Sequence, residues 1–196
     1  MIELPSRPTE SGQAVRHHRA FRALLLALSY PGRRYPLPVR SVGSGSPRRV
    51  LAPQEAGARL IFYAVWEPDT AVHVVGQPSV LPPIRQVGAA ATRLMLVFAR
   101  QSGGLLLQLP RGNEECPEAG ATVLYAAPGP TRSTLVRLSG PGVRGSLETY
   151  LPLPAVELAD RNAACQDWPL GIDLIVVDAD GMVVALPRTT RLELLD

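Results

Sequence analysis

The spacing of apolar residues changes several times along the chain, and each change predicts an element. Phe21, Leu24, Leu25 and Leu28 recur at i, i+3, i+4 and i+7, which places them on one face of an amphipathic helix. Arg16, Arg19 and Arg22 then point elsewhere, and Pro31-Gly32 ends the helix. Residues 40–49, with Gly43, Ser44, Gly45, Ser46 and Pro47, read as a flexible loop. Glu55 to Trp66 reads as a second, mostly apolar helix, and the Glu67-Pro68-Asp69 turn leads to a strand at Ala71 to Val75. Pro78, Pro82, Pro83 and Gly103-Gly104 interrupt the stretch from Gln77 to Gly112, leaving Leu94 to Phe98 as its buried strand. Further strands are expected at Ala121 to Ala126 and Thr134 to Leu138, separated by Pro128-Gly129-Pro130, and a helix at Pro154 to Cys165.

At the end of the chain, Ile172 to Val177 and Met182 to Leu186 flank Asp178-Ala179-Asp180-Gly181, a hairpin signature. A two-residue turn at Asp180-Gly181 sets Asp173 opposite Arg188, and a four-residue loop makes them diagonal neighbours on one face. A three-residue loop would put them on opposite faces. A paired Asp173 and Arg188 would be either a structural ion pair or a means of aiming the guanidinium at an anionic ligand.

At 196 residues and 46% hydrophobic content, the chain suits a single domain over 1–196 that buries a core without disulfides or metals. The alternation of helices and strands predicts layered α/β architecture. The net charge of +3 is small, but residues 1–60 hold ten Arg against Glu3, Glu10 and Glu55, a local +7, and the remainder carries −4. All 20 basic residues are Arg. Lysine chemistry is therefore excluded: no Schiff base with pyridoxal phosphate, no P-loop lysine and no lysine nucleophile. Cys116 and Cys165 are the only cysteines and lie in no CxxC pattern, so both are expected to be small core or rim residues. The amino-terminal Met-Ile-Glu-Leu-Pro-Ser-Arg does not resemble a signal peptide and no apolar run spans a bilayer, which predicts a cytoplasmic chain without membrane contact.

Gly140-Pro141-Gly142-Val143-Arg144-Gly145 matches GxGxxG, but Pro152 and Pro154 leave little room for the helix a dinucleotide loop must open, so a plain glycine-rich turn is expected. His17, His18 and His73 belong to no metal-ligand pattern, and no metal is expected. His17-His18 beside Arg16 and Arg19 could contact an anion, although a solvated helix face is the simpler reading. There is no GxSxG elbow. The basic front third admits nucleic-acid binding, but with 5% aromatic residues and no binding module, no nucleic-acid partner is expected.

Several of these segments together resemble the PhnH family, a subunit of the bacterial carbon-phosphorus lyase system for phosphonate breakdown. Phe21-Arg22 with Leu25, Ser29 and Pro31-Gly32 are similar to its first helix and turn, and Pro117-Glu118-Ala119-Gly120-Ala121-Thr122 to its central motif. Leu138-Ser139-Gly140 and Gly142 follow in order, and Pro169-Leu170-Gly171-Ile172-Asp173-Leu174-Ile175 with Pro187-Arg188-Thr189-Thr190 match the carboxy-terminal pattern. The resemblance implies a three-layer α/β/α sandwich with a mixed sheet, similar to the pyridoxal-phosphate transferase fold without its cofactor. It also implies work with the G, I and L subunits, in a complex that includes J, to transfer the ribose triphosphate of ATP to an alkylphosphonate with release of adenine. It further implies a homodimer when isolated. With no lysine, metal cluster, serine elbow or credible phosphate loop, the residues themselves predict no activity of the chain alone, while its arginines could contact ATP or phosphonate within the complex. It supplies no catalytic residue, so Asp173 and Arg188 stand as anion-binding or structural ion-pair candidates. A free-standing enzyme or binding protein for a phosphorylated small molecule, and a nucleic-acid-binding module, remain alternatives.

Overall fold

A computed structural model describes residues 10–39, 51–79 and 81–195. The loop expected at 40–49 lies outside the described residues. Helices α1 (Glu10–Ser29) and α2 (Pro53–Val65) cover one face of a seven-stranded mixed sheet. Its strands are β1 (Tyr35–Pro36), β2 (Ala71–Val75), β3 (Arg85–Gln86), β4 (Leu94–Val97), β5 (Thr122–Ala126), β8 (Asp173–Val177) and β9 (Met182–Leu186), in the order β1-β9-β8-β5-β4-β2-β3. The pairs from β3 through β8 are parallel, and β9 and β1 are added antiparallel. The third layer combines helix α3 (Ala155–Ala164) with an antiparallel sheet of β7 (Ser146–Leu151), β6 (Thr134–Ser139) and β10 (Arg191–Leu194). The expected mixed sheet between layers is present, but its far side carries this small sheet beside a single helix among the described residues.

Burial explains the two kinds of strand pattern. In β4, β8 and β9 almost every residue is buried, because helices cover one sheet face and the third layer covers the other. Such strands read as continuous apolar runs. Met95, Val97, Val123, Tyr125, Leu174 and Val176 enter the core shared with α3 and the small sheet. Leu94, Leu96, Leu124, Ile175 and Val177 enter the core under α1 and α2. Strand β6 alternates instead, since one of its faces meets solvent. There Arg137 faces Glu148 on β7 and Glu193 on β10, with ion-pair distances of 2.9 Å to each. Exposed pairs of this kind contribute little, about 0–1 kcal/mol.

The buried face of α1 is Ala20, Ala23, Leu24 and Ala27. Of the residues predicted to face the core, Leu24 is buried and Leu28 half-buried, whereas Phe21 and Leu25 are 43% and 47% exposed. The small alanines let the helix axis approach β9 closely, and that packing outweighs the larger side chains on the flank. The glycine-rich segment 140–145 is the turn between β6 and β7 and opens a strand, not a helix. No helix among the described residues is long and apolar enough to cross a membrane.

Candidate functional site

The carboxy-terminal hairpin sets the geometry of Asp173 and Arg188 by an unexpected route. Val177 faces Val183 and Leu174 faces Leu186, and the Asp178 N–H donates to the Met182 carbonyl at 3.0 Å. The loop is therefore the three residues Ala179-Asp180-Gly181, with Gly181 at φ 74° as a three-residue turn requires. Both even-length registers are overturned, and so is the expectation that a three-residue loop would separate the pair. Face alternation applies only along a strand, and β9 ends at Leu186. Pro187 follows, unable to donate to a ladder, and the chain turns, with the Thr190 N–H donating to the Pro187 carbonyl at 2.9 Å. That turn brings Arg188 back over Asp173, the first residue of β8.

The contact is extensive. The Arg188 backbone N–H donates to Asp173 Oδ1 at 2.7 Å, Nε donates to Oδ2 at 3.1 Å, and Nη2 donates to Oδ2 at 2.5 Å. Nη1 donates to the Pro117 carbonyl, which ties the hairpin to the segment preceding β5. Gly120 in that segment has no room for a side chain, since a Cβ there would lie 2.6 Å from Arg188 Nη1 and 3.0 Å from the Arg111 carbonyl. The two side chains are 23% and 14% exposed. Both border a cavity of about 360 Å³ at the end of the central sheet where β2, β4, β5 and β8 begin. Arg93 and Arg188 there meet Glu67, Glu118 and Asp173, so its formal charge is −1. It is a poor anion site as it stands.

A second polar group, on α3, was not anticipated from the sequence. Glu157 is 1% exposed, accepts the Ser102 N–H at 3.0 Å and accepts the Tyr125 hydroxyl. Burial, reinforced by the Glu157 carboxylate, pushes the Tyr125 phenol far above its usual range. One turn later Arg161, also 1% exposed, donates from Nη1 to the Thr190 carbonyl at 2.7 Å and from Nη2 to the Pro187 carbonyl at 2.5 Å. Burial holds its guanidinium below the ordinary arginine value. Glu157 and Arg161 sit at the i, i+4 spacing of a surface pair, yet they turn to different partners inside the protein. Their place on the face that also carries Leu158 and Ala164 was the available signal.

The other sequence candidates are dispersed. His17 stacks on Tyr63 with ring centroids 6.3 Å apart, His18 is exposed, and His73 Nδ1 donates to the Val87 carbonyl at 2.8 Å. Among the described residues no group of three His, Cys, Asp or Glu side chains could hold a metal ion. Cys116 is exposed rather than tucked into the core or its rim, because its segment turns at the surface with its N–H on Asn113 Oδ1 at 2.7 Å. Cys165 is half-buried, and its Sγ accepts the Ile172 N–H at 3.4 Å.

Fold and site together define a layered α/β protein whose charged groups under the carboxy-terminal hairpin mostly hold backbone segments in place. The family model for "Bacterial phosphonate metabolism protein (PhnH)" matches residues 10–193. The chain is also 30% identical over 190 residues to "Putative C-P lyase subunit protein HtxG" of Stutzerimonas stutzeri, covering 93% of this chain and 88% of that one. The chain belongs to the PhnH family.

Proposed function

We propose that this chain is a non-autonomous subunit of a cytoplasmic carbon-phosphorus lyase system. In this reading it acts with the G, I and L subunits, in a complex that includes J, to transfer the ribose triphosphate of ATP to an alkylphosphonate with release of adenine. The observation that carries the proposal is the family match, which runs through all three layers and both sheets rather than over one motif. The similarity to a relative described as a C-P lyase subunit supports it.

The chemistry of the chain supports the subsidiary role. Without lysine no side chain can form an aldimine, so a fold similar to pyridoxal-phosphate transferases would serve here as a scaffold. Asp173 spends its carboxylate on Arg188, and Glu157 spends its own on Ser102 and Tyr125. Neither is a free general base. In isolation the chain is proposed to be a homodimer, and within the complex it would offer arginine forks to ATP or phosphonate oxygens. The test is capture of a tagged chain co-expressed with the other subunits, with light scattering of the chain alone. Stoichiometric recovery of the partners and a dimer mass are expected. Recovery of the chain without partners would overturn the subunit reading, and a monomer at micromolar concentration the dimer.

A further inference from the structure

We infer that the cavity between the end of α3 and residues 188–192 is a binding site, in the isolated chain, for a phosphoryl or phosphonyl oxyanion. The cavity has a volume of about 280 Å³ and is bordered by Arg161, Arg188, Arg191, Thr189, Thr190 and Trp168. No carboxylate lines it. That separates it from the neighbouring 360 Å³ cavity, where three carboxylates outnumber two arginines although Arg188 borders both.

The charge balance favours an anion. Three arginines supply +3, and Asp173 offsets one through Arg188. The carboxy-terminal end of α3 contributes roughly −0.5, leaving about +1.5. A phosphate or phosphonate near neutral pH carries a charge of comparable size and opposite sign, about −1.5 to −2 for a phosphate monoester. Arg161 adds the second observation. Among the described residues no carboxylate lies within ion-pair distance of it; its hydrogen bonds go to the Thr190 and Pro187 carbonyls and, at 3.4 Å, to the Asn162 side-chain oxygen, Asp173 and Cys165 act on it only from beyond contact, and its Nε has no hydrogen-bond partner. The hydroxyl of Thr190, 2% exposed, is also without a partner. A buried cation without a counter-charge in contact is costly. An oxyanion in the adjoining cavity would offset that cost from a short distance, while the more exposed Arg191 supplies direct contacts.

Size narrows the ligand. The volume equals that of roughly nine waters at about 30 Å³ each and falls at the low end for small-molecule sites. It suits a tetrahedral oxyanion with a short substituent, or the terminal group of a larger phosphate ester reaching in from outside.

The inference rests on the proposed contact of the chain's arginines with phosphonate or triphosphate oxygens, but its test reads binding to the chain alone and fails or succeeds apart from the transferase reaction. The experiment measures binding to the purified full chain by calorimetry and phosphorus NMR line broadening, with inorganic phosphate and methylphosphonate in separate arms and chloride at matched ionic strength as reference. Saturable one-site binding is expected, weakened about tenfold or more by Arg191→Ala and unchanged by Arg22→Ala on the opposite layer. Circular dichroism of both variants confirms folding before the comparison. Saturation by phosphate alone assigns the site to phosphoryl groups, and tighter binding of methylphosphonate assigns it to phosphonates. Equal affinity in Arg191→Ala, or no response beyond that to chloride, would overturn the site and leave Arg161 as a clamp on residues 187–190.

Discussion

Asp173 is held at the start of β8 by its own N–H, which donates to the Ala121 carbonyl at 3.1 Å, and its carboxylate then organises the Arg188 turn. Removing either partner leaves the other largely buried, so Arg188→Ala is expected to cost about 2–4 kcal/mol. A double-mutant cycle with Asp173→Asn should show about 1–3 kcal/mol of coupling by urea denaturation, and coupling indistinguishable from zero would contradict the pairing. Tyr125 makes a different prediction. Its phenol titrates above the unfolded value of about 10, so the fold favours the neutral form. That stabilisation is complete below pH about 10 and is lost above it, as the unfolded chain gains a charge the native state resists. The slope approaches about 1.4 kcal/mol per pH unit. Stability of Tyr125→Phe should therefore fall less steeply than that of the parent above pH about 10. Parallel curves would show that Tyr125 is not the responsible group.

Elements differ in how plainly the sequence announces them. Strands β4, β8 and β9 were legible because burial on both faces leaves uninterrupted runs such as Leu174-Ile175-Val176-Val177. Strand β7, Ser-Leu-Glu-Thr-Tyr-Leu, is half polar and follows the expected glycine-rich turn, so no apolar run marks it. β1 and β3 are two residues long, too short for any periodic signal. Apolar size does not mark the buried face of α1: the sheet accepts Ala20, Ala23 and Ala27 beside Leu24, while Phe21 and Leu25 stay exposed. Leu24→Ala is accordingly expected to cost about 2–4 kcal/mol, and Leu25→Ala to stay within about 0.5 kcal/mol in the isolated chain. A loss at Leu25 equal to that at Leu24 would contradict the observed packing. An even-length loop would pair Asp173 with Arg188 along the strands; the protein has a three-residue loop and reaches the same pairing through a turn after β9. A turn just beyond a strand end is invisible to arguments from strand alternation.

The whole molecule packs two cores on either side of a mixed sheet, with interacting charged groups where α3, the hairpin and the Pro117–Gly120 segment meet. Its buried polar side chains largely bind backbone or one another. The buried group on α3 was not readable from the sequence, because a Glu and an Arg four residues apart look the same on a solvated helix as in a core. Family membership came instead from the blocks around Gly120 and from Pro169 to Thr190. In the structure these form one assembly through the contacts of Arg188 with Asp173 and Pro117. The central claim is that this assembly serves a reaction completed by other subunits. Its most direct test is adenine release from ATP and methylphosphonate by purified partner subunits, with this chain omitted and then added back. The account predicts no release by the chain alone, little by the partners alone, and recovery on addition of the folded chain. Turnover by the chain alone, or full turnover by the partners without it, would contradict the account.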